Sequence, residues 1–160
     1  MDSLGENFND KKSDMKQIII FLFVACVTLV ACHDVKVGYL RVDSAEFSPD
    51  SIVIRSKLVT AEENPKKNDQ NRIDNNAPWV TTNISGVLGT EPLTYEFVSV
   101  KASEGGDGDL FAKEIVVRGC GKMQIPLKPM APKGRYLVTL KVSNEGYSAL
   151  LPDIFTFVIE

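Results

Sequence analysis

Chemistry-bearing residues are scarce in this chain of 160 residues. It holds one histidine, one tryptophan and three cysteines, with a formal net charge of −3. A lone His33 leaves no imidazole cluster for a metal and no base to activate a thiol or hydroxyl elsewhere. Zinc-type spacing, a G-x-S-x-G turn and a phosphate-cradling glycine loop are all missing. No carboxylate pair can be argued to share a cleft, so glycoside hydrolysis has no positive sign. The balanced charge contains no basic block and makes no electrostatic case for nucleic acid. No catalytic residue, cofactor or metal is assigned on these grounds, and the chain is expected to be a non-enzyme.

One apolar run stands out, in Met15 to Cys32, MKQIIIFLFVACVTLVAC. Lys16 precedes a stretch from Ile18 to Val30 interrupted only by Thr28, and small Ala31 sits before Cys32. Positive residue, apolar core and small residue at the end make a secretory signal layout. The run is short of the roughly 20 apolar residues of a spanning helix, and no stop-transfer cluster follows. Residues 1–14 are polar and make an odd preface, so translation is expected to start at Met15, with an unusually long leader as the alternative. Residues 1–31 are then the signal peptide.

Leu29-Val30-Ala31-Cys32 resembles the lipobox of bacterial lipoproteins: aliphatic, small or aliphatic, Gly or Ala, then Cys. That resemblance implies a diacylglyceryl group on the Cys32 thiol, cleavage before Cys32, and acylation of the new amino terminus. Cys26 competes less well, because Phe23 fits poorly three residues before it. The implied partner is the membrane. Each buried methylene adds about 0.8 kcal/mol, so two or three chains hold where one holds marginally.

Residues 32–160 are expected to form one all-β domain. With Cys32 acylated, Cys120 has no disulfide partner, and between Gly119 and Gly121 it reads as a turn residue. Alternation is clearest from Tyr136 to Val142, where Tyr136, Val138, Leu140 and Val142 share one face. Similar strand segments are expected at Tyr39–Phe47, Ser51–Leu58, Trp79–Leu88, Leu93–Lys101, Phe111–Arg118, Lys122–Leu127 and Ile154–Ile159. Turn signals rich in Gly, Pro, Asn and Asp separate them. Seven or eight short strands so spaced predict a β-sandwich. Residues 61–78 break the rhythm and read as a long polar loop, with too little apolar surface to offset its ordering entropy. The acidic turn Glu104-Gly-Gly-Asp107-Gly-Asp109 is the nearest approach to a calcium site, but it lacks a terminal bidentate Glu and reads equally as a strand connection.

Pro132-Lys133-Gly134-Arg135-Tyr136 and the following strand, the Asn144-Glu145-Gly146 turn and Asp153 to Ile159 resemble the closing hairpin of immunoglobulin-like domains of the PKD, cadherin and bacterial Ig-like kind. The likeness covers roughly residues 79–160 and implies an immunoglobulin-like β-sandwich, with Tyr136 hydrogen-bonding to nearby backbone. The inter-sheet cysteine pair and central Trp of antibody domains are missing, which sets that branch aside. A lipoprotein with one such domain is similar to proteins of Bacteroidetes, where they accompany outer-membrane glycan-uptake systems or act as adhesins. The resemblance implies an outer-membrane location, facing the periplasm or the surface. Asp43-Ser44-Ala45 and Asp50-Ser51-Ile52 match that phylum's O-glycosylation pattern.

Two functions follow as expectations. One is a cell-envelope module binding polysaccharide as an accessory to uptake; the other is a structural or adhesin-like subunit binding an envelope protein. For glycan, the candidate residues are Trp79, Thr81 and Asn83. If Val80, Ile84 and Leu88 face the core, alternation turns Trp79 outward beside Thr81 and Asn83, as a stacking platform. The opposite orientation, Trp79 in the core, is also open, because Trp is usually buried and Pro78 can displace the register.

Overall fold

Alternation is most regular after Pro132, and there the backbone forms its longest strands. A computed structural model describes residues 38–103 and 105–160, which belong to one compact unit. The signal segment, Cys32 and Glu104 lie outside the described residues. Strands β1 (Leu40–Arg41), β2 (Ser51–Ile54), β3 (Trp79–Val80), β4 (Leu88–Gly89), β5 (Thr94–Ala102), β6 (Val116–Arg118), β7 (Lys122–Ile125), β8 (Gly134–Ser143) and β9 (Ser148–Ile159) account for most of the regular structure. Two short helices join them, α1 (Gln70–Asp74) and α2 (Gly108–Glu114).

The strands form a four-stranded sheet ordered β2-β9-β8-β5, a three-stranded sheet ordered β3-β7-β6, and the small pair β1-β4. Pairing is antiparallel except for β2, which runs parallel to β9 with Ser51 opposite Thr156. The chain is therefore mostly β, in several sheets around a shared core. Tyr136, Val138, Leu140 and Val142 from β8 and Phe155, Phe157 and Ile159 from β9 meet Trp79, Met123 and Ile125 of the smaller sheet in that core. The phenol of Tyr136 stacks on Phe111 with ring centroids 4.4 Å apart, and Phe155 and Phe157 lie 4.9 Å apart.

On the opposite face of β8, Thr139 is also buried. The β8–β9 register shifts between Val138 and Leu140, and the Thr139 hydroxyl accepts from the Asp153 amide at 3.3 Å. A bulge thus supplies a buried polar group with a partner where simple alternation would expose it.

Several expected strands are shorter or of another kind. Phe111 lies in helix α2, not in a strand, and the strand begins only at Val116. The reason is local: the Asp107 side chain accepts from the Leu110 amide at 2.9 Å, an N-cap that starts a helical turn, and Phe111 turns into the core. Trp79–Leu88 is interrupted; β3 and β4 are two residues each, with irregular backbone between them. Tyr39–Phe47 supplies only β1 and an isolated bridge from Glu46 to Ser85. Residues 61–78 carry helix α1 and a closely bonded turn, so their order comes from polar groups rather than apolar burial.

Candidate functional site

Trp79 opens β3 and pairs with Ile125 of β7, which carries its side chain inward. The ring is 5 % exposed, and its Nε1 donates to the Leu127 carbonyl at 3.1 Å. Thr81 is buried too; its amide donates to the Met123 carbonyl, and its hydroxyl accepts from the Met123 amide at 3.0 Å. Asn83 is exposed on the irregular stretch after β3. The expected platform of Trp79, Thr81 and Asn83 is therefore corrected, since two of the three residues belong to the interior. Val80 is the outward residue at the start, and Ile84 returns to the core only because the strand has ended. Of the two orientations open for Trp79, the structure shows the core one; the platform required parity to carry across a break where the strand ends.

The polar segment covers Trp79. Arg72 of α1 places its guanidinium 4.2 Å from the ring centroid and donates to the Pro78 carbonyl at 2.8 Å. A cation over an indole face is attractive, by about 0.5–1 kcal/mol at exposed sites and more when desolvated. The segment is itself fastened by Asp69, 6 % exposed and just ahead of α1. One carboxylate oxygen pairs with the Arg55 guanidinium and the other accepts from the Val59 amide at 3.1 Å; the Asp69 amide donates back to the Val59 carbonyl at 2.7 Å. Thr60 and Glu63 exchange bonds as in a capping box: the Glu63 carboxylate accepts from the Thr60 amide at 3.1 Å, and the Thr60 hydroxyl accepts from the Glu63 amide at 3.3 Å. That amide bond, with the charge of Lys57, holds the Glu63 carboxyl below its ordinary pKa. A Ser/Thr-x-x-Glu signal was present in Thr60-Ala61-Glu62-Glu63 and is the sequence clue to this order.

Arg72 also lines a shallow open depression of about 550 Å³, together with Asn68, Asp69, Asn71, Asn75 and Ala77. Asn68 is occupied by the Asn64 and Pro65 carbonyls and Asn75 by the Asn71 carbonyl, each through its Nδ2. Their carboxamides are thereby fixed in orientation while remaining at the surface. The arrangement can present amide donors and acceptors, and one guanidinium, to a hydroxyl-rich ligand. It has no nucleophile–base pair.

The remaining candidates are dispersed. Asp107 serves as the cap of α2, and its amide donates to the Tyr136 hydroxyl at 3.3 Å; that hydroxyl donates to the Pro132 carbonyl at 2.6 Å. Among the described residues no group of three His, Cys, Asp or Glu side chains could hold a metal ion. Cys120 is exposed in the β6–β7 turn between Gly119 and Gly121. At Gly121, φ is +74° and a Cβ would come within 2.9 Å of Ile84, which requires glycine there. Cys32 lies outside the described residues.

No family model matches the chain, and neither a curated protein nor a solved structure matches it.

Proposed function

We propose that the chain is a lipid-anchored binding module of the cell envelope, built on an immunoglobulin-like sandwich and directed at a glycan. The observation that carries the ligand class is the amide-lined depression over α1, where Asn68, Asn71 and Asn75 surround Arg72. Sugars are recognised through dense hydroxyl groups, which the exposed Asn71 and Asn75 carboxamides can meet as donors and acceptors, while Asn68 is held by its bonds to Asn64, Pro65 and Gln70. In this reading Trp79 is a support beneath the site, holding Arg72 in place, instead of the stacking surface. The chain is read as a non-enzyme that needs no cofactor.

The fold assignment is supported by strand order. Immunoglobulin-like domains place strands B, E and D in one sheet and C, F and G in the other. Taking β3, β5, β6, β7, β8 and β9 as B to G reproduces that partition, β3-β7-β6 against β5-β8-β9. The Tyr136 bond to Pro132, four residues upstream at the start of β8, matches the tyrosine corner of that family. Support for the anchor is the resemblance of Leu29-Val30-Ala31-Cys32 to a bacterial lipobox; the outer-membrane, Bacteroidetes-type reading rests on the further likeness of a lipoprotein carrying one immunoglobulin-like domain to proteins of that phylum.

Two measurements test the reading. Labelled fatty acid should enter the wild type and be lost with membrane retention in Cys32→Ala; continued labelling of that variant removes the anchor assignment. Polysaccharide affinity gels should retard the protein, and Asn71→Ala or Arg72→Ala should abolish retardation without unfolding it. Retardation indifferent to both substitutions rejects the depression as the site.

A second reading, an adhesin-like or assembly subunit, is favoured by the outward face of the four-stranded sheet. Val53 and Leu150 are exposed there, with Val158 beside Val53 across the parallel β2–β9 pair, and exposed apolar side chains gathered on one face mark an interaction surface. Co-purification of an envelope protein that is lost in Val53→Lys supports this reading over the glycan.

A further inference from the structure

One end of the domain gathers exposed apolar side chains around a single asparagine. Asn144, in the β8–β9 turn, donates through Nδ2 to the Tyr39 carbonyl at 2.9 Å and the Thr90 carbonyl at 3.2 Å. Its Oδ1 accepts from the Gly146 and Tyr147 amides at 3.2 and 2.9 Å. Three segments far apart in sequence are thereby brought to one tip. Tyr39 is 53 % exposed, Leu88 (two residues before Thr90) 55 %, and Tyr147 37 %. A Thr90 hydroxyl also accepts from the Tyr39 amide at 3.2 Å, so this end is built, not frayed.

The described chain begins at this tip, with Gly38. Cys32 is seven residues before Tyr39. Fully extended, seven residues span at most about 25 Å. An acyl anchor on Cys32 therefore keeps this end, and not the Pro132–Gly134 end of β8, close to the bilayer. Tyrosine suits the membrane interface, with an apolar ring and a polar hydroxyl.

We infer that the tip carrying Tyr39, Leu88 and Tyr147 rests on the lipid surface and orients the domain there; the inference depends on the proposed anchor at Cys32. Among the described residues, charges at this end give no basic excess. Arg41 faces Asp43 at 3.7 Å, and Glu91 and Glu145 are exposed nearby. The contact is thus apolar and interfacial, and anionic lipid does not strengthen it.

The test uses the full lipidated chain in vesicles of phosphatidylcholine, with or without phosphatidylglycerol. In a Cys120→Ser background, nitroxides are attached at Leu88→Cys, Tyr147→Cys and, as the distal control, Lys133→Cys. Collision with a water-soluble nickel chelate should fall several-fold at positions 88 and 147 relative to 133, equally in both lipid mixtures. In parallel, the unsubstituted chain is exposed to a photoactivatable phosphatidylcholine headgroup, and adducts should map to peptides holding Tyr39 and Tyr147. Equal nickel access at all three sites, or adducts spread evenly over the domain, overturns the seating while fatty-acid labelling and flotation leave the anchor standing. Absence of fatty-acid label and of flotation overturns the anchor, and the seating with it.

Discussion

From Gly134 to Ile159 the chain is held by backbone ladders, β8 lying between β5 and β9 with nearly every inward side chain apolar. Between Arg55 and Thr81 backbone bonds are local turns and one short ladder, and side chains add most of the ties: Arg55 to Asp69, Asp69 to Val59, Thr60 to Glu63, Arg72 to Trp79 and Pro78, Trp79 to Leu127. The first region spreads its stability over a repeating pattern. The second concentrates it in a few polar groups, each with several partners. Loss of one group is therefore felt differently in the two places, and that contrast can be measured.

The largest effects are expected where the two regions meet in the core. Tyr136→Ala removes a fully buried ring and its stack on Phe111, at a cost of about 3–5 kcal/mol, read as a lowered urea midpoint. Trp79→Ala should cost as much, about 3–5 kcal/mol, and acrylamide should quench the wild-type tryptophan poorly. An indifferent Tyr136→Ala would break the idea that the ladder region depends on this ring.

Next comes Asp69→Ala, expected to cost about 1–3 kcal/mol, because it removes a buried carboxylate and leaves the part-buried Val59 amide without its side-chain acceptor. The part due to Arg55 is discounted, since that side chain is 40 % exposed. Amide exchange should quicken across residues 59–78 and stay slow in β8 and β9; uniform acceleration would show that the two regions are not separately fastened. Tyr136→Phe keeps the ring and loses only the hydroxyl bonds to Pro132 and Asp107, for about 1 kcal/mol. The ratio of this loss to that of Tyr136→Ala separates corner from core.

Smallest is an alkaline effect at Tyr95. Burial, and then the charges of Cys120 and Glu91, raise its pKa above the ordinary value. The unfolded chain then loses this proton first, so stability holds below the unfolded pKa of about 10 and falls as pH rises through the folded value. Tyr95→Phe should flatten that decline in thermal scans between neutral and strongly alkaline pH. An unchanged decline assigns it to other groups.

Much of the ladder region was legible in the sequence. Alternation at Tyr136, Val138, Leu140 and Val142 placed one face in the core, and the Pro132-to-Gly146 pattern anticipated both the hairpin and the hydroxyl bond of Tyr136. Helix α2 was not anticipated, although Asp107 three residues before Leu110 is an N-cap signal; the glycines around it made its start read as a turn, and Phe111 onward read as a strand. The polar segment was read by composition, which counts apolar surface and overlooks a carboxylate serving two partners at once. For the candidate site, the sequence brought the right neighbours together, Trp79 beside a polar stretch, but alternation left open which face of Trp79 meets water, because the strand that would set its parity is only two residues long.

By itself the sequence determined the mostly β character, the closing hairpin and the turn at Cys120, because strand alternation and turn chemistry act between residues close in the chain. The resemblance of Leu29-Val30-Ala31-Cys32 to a lipobox is likewise a local pattern, and the anchor is proposed from it without any fold. Only the tertiary structure decided that Trp79 is roofed by Arg72, that Asp69 orders the polar segment, and that Tyr39, Thr90 and Tyr147 converge on Asn144. Those outcomes depend on single hydrogen bonds and contacts between distant residues, and no periodicity along the chain encodes which donor will meet which acceptor.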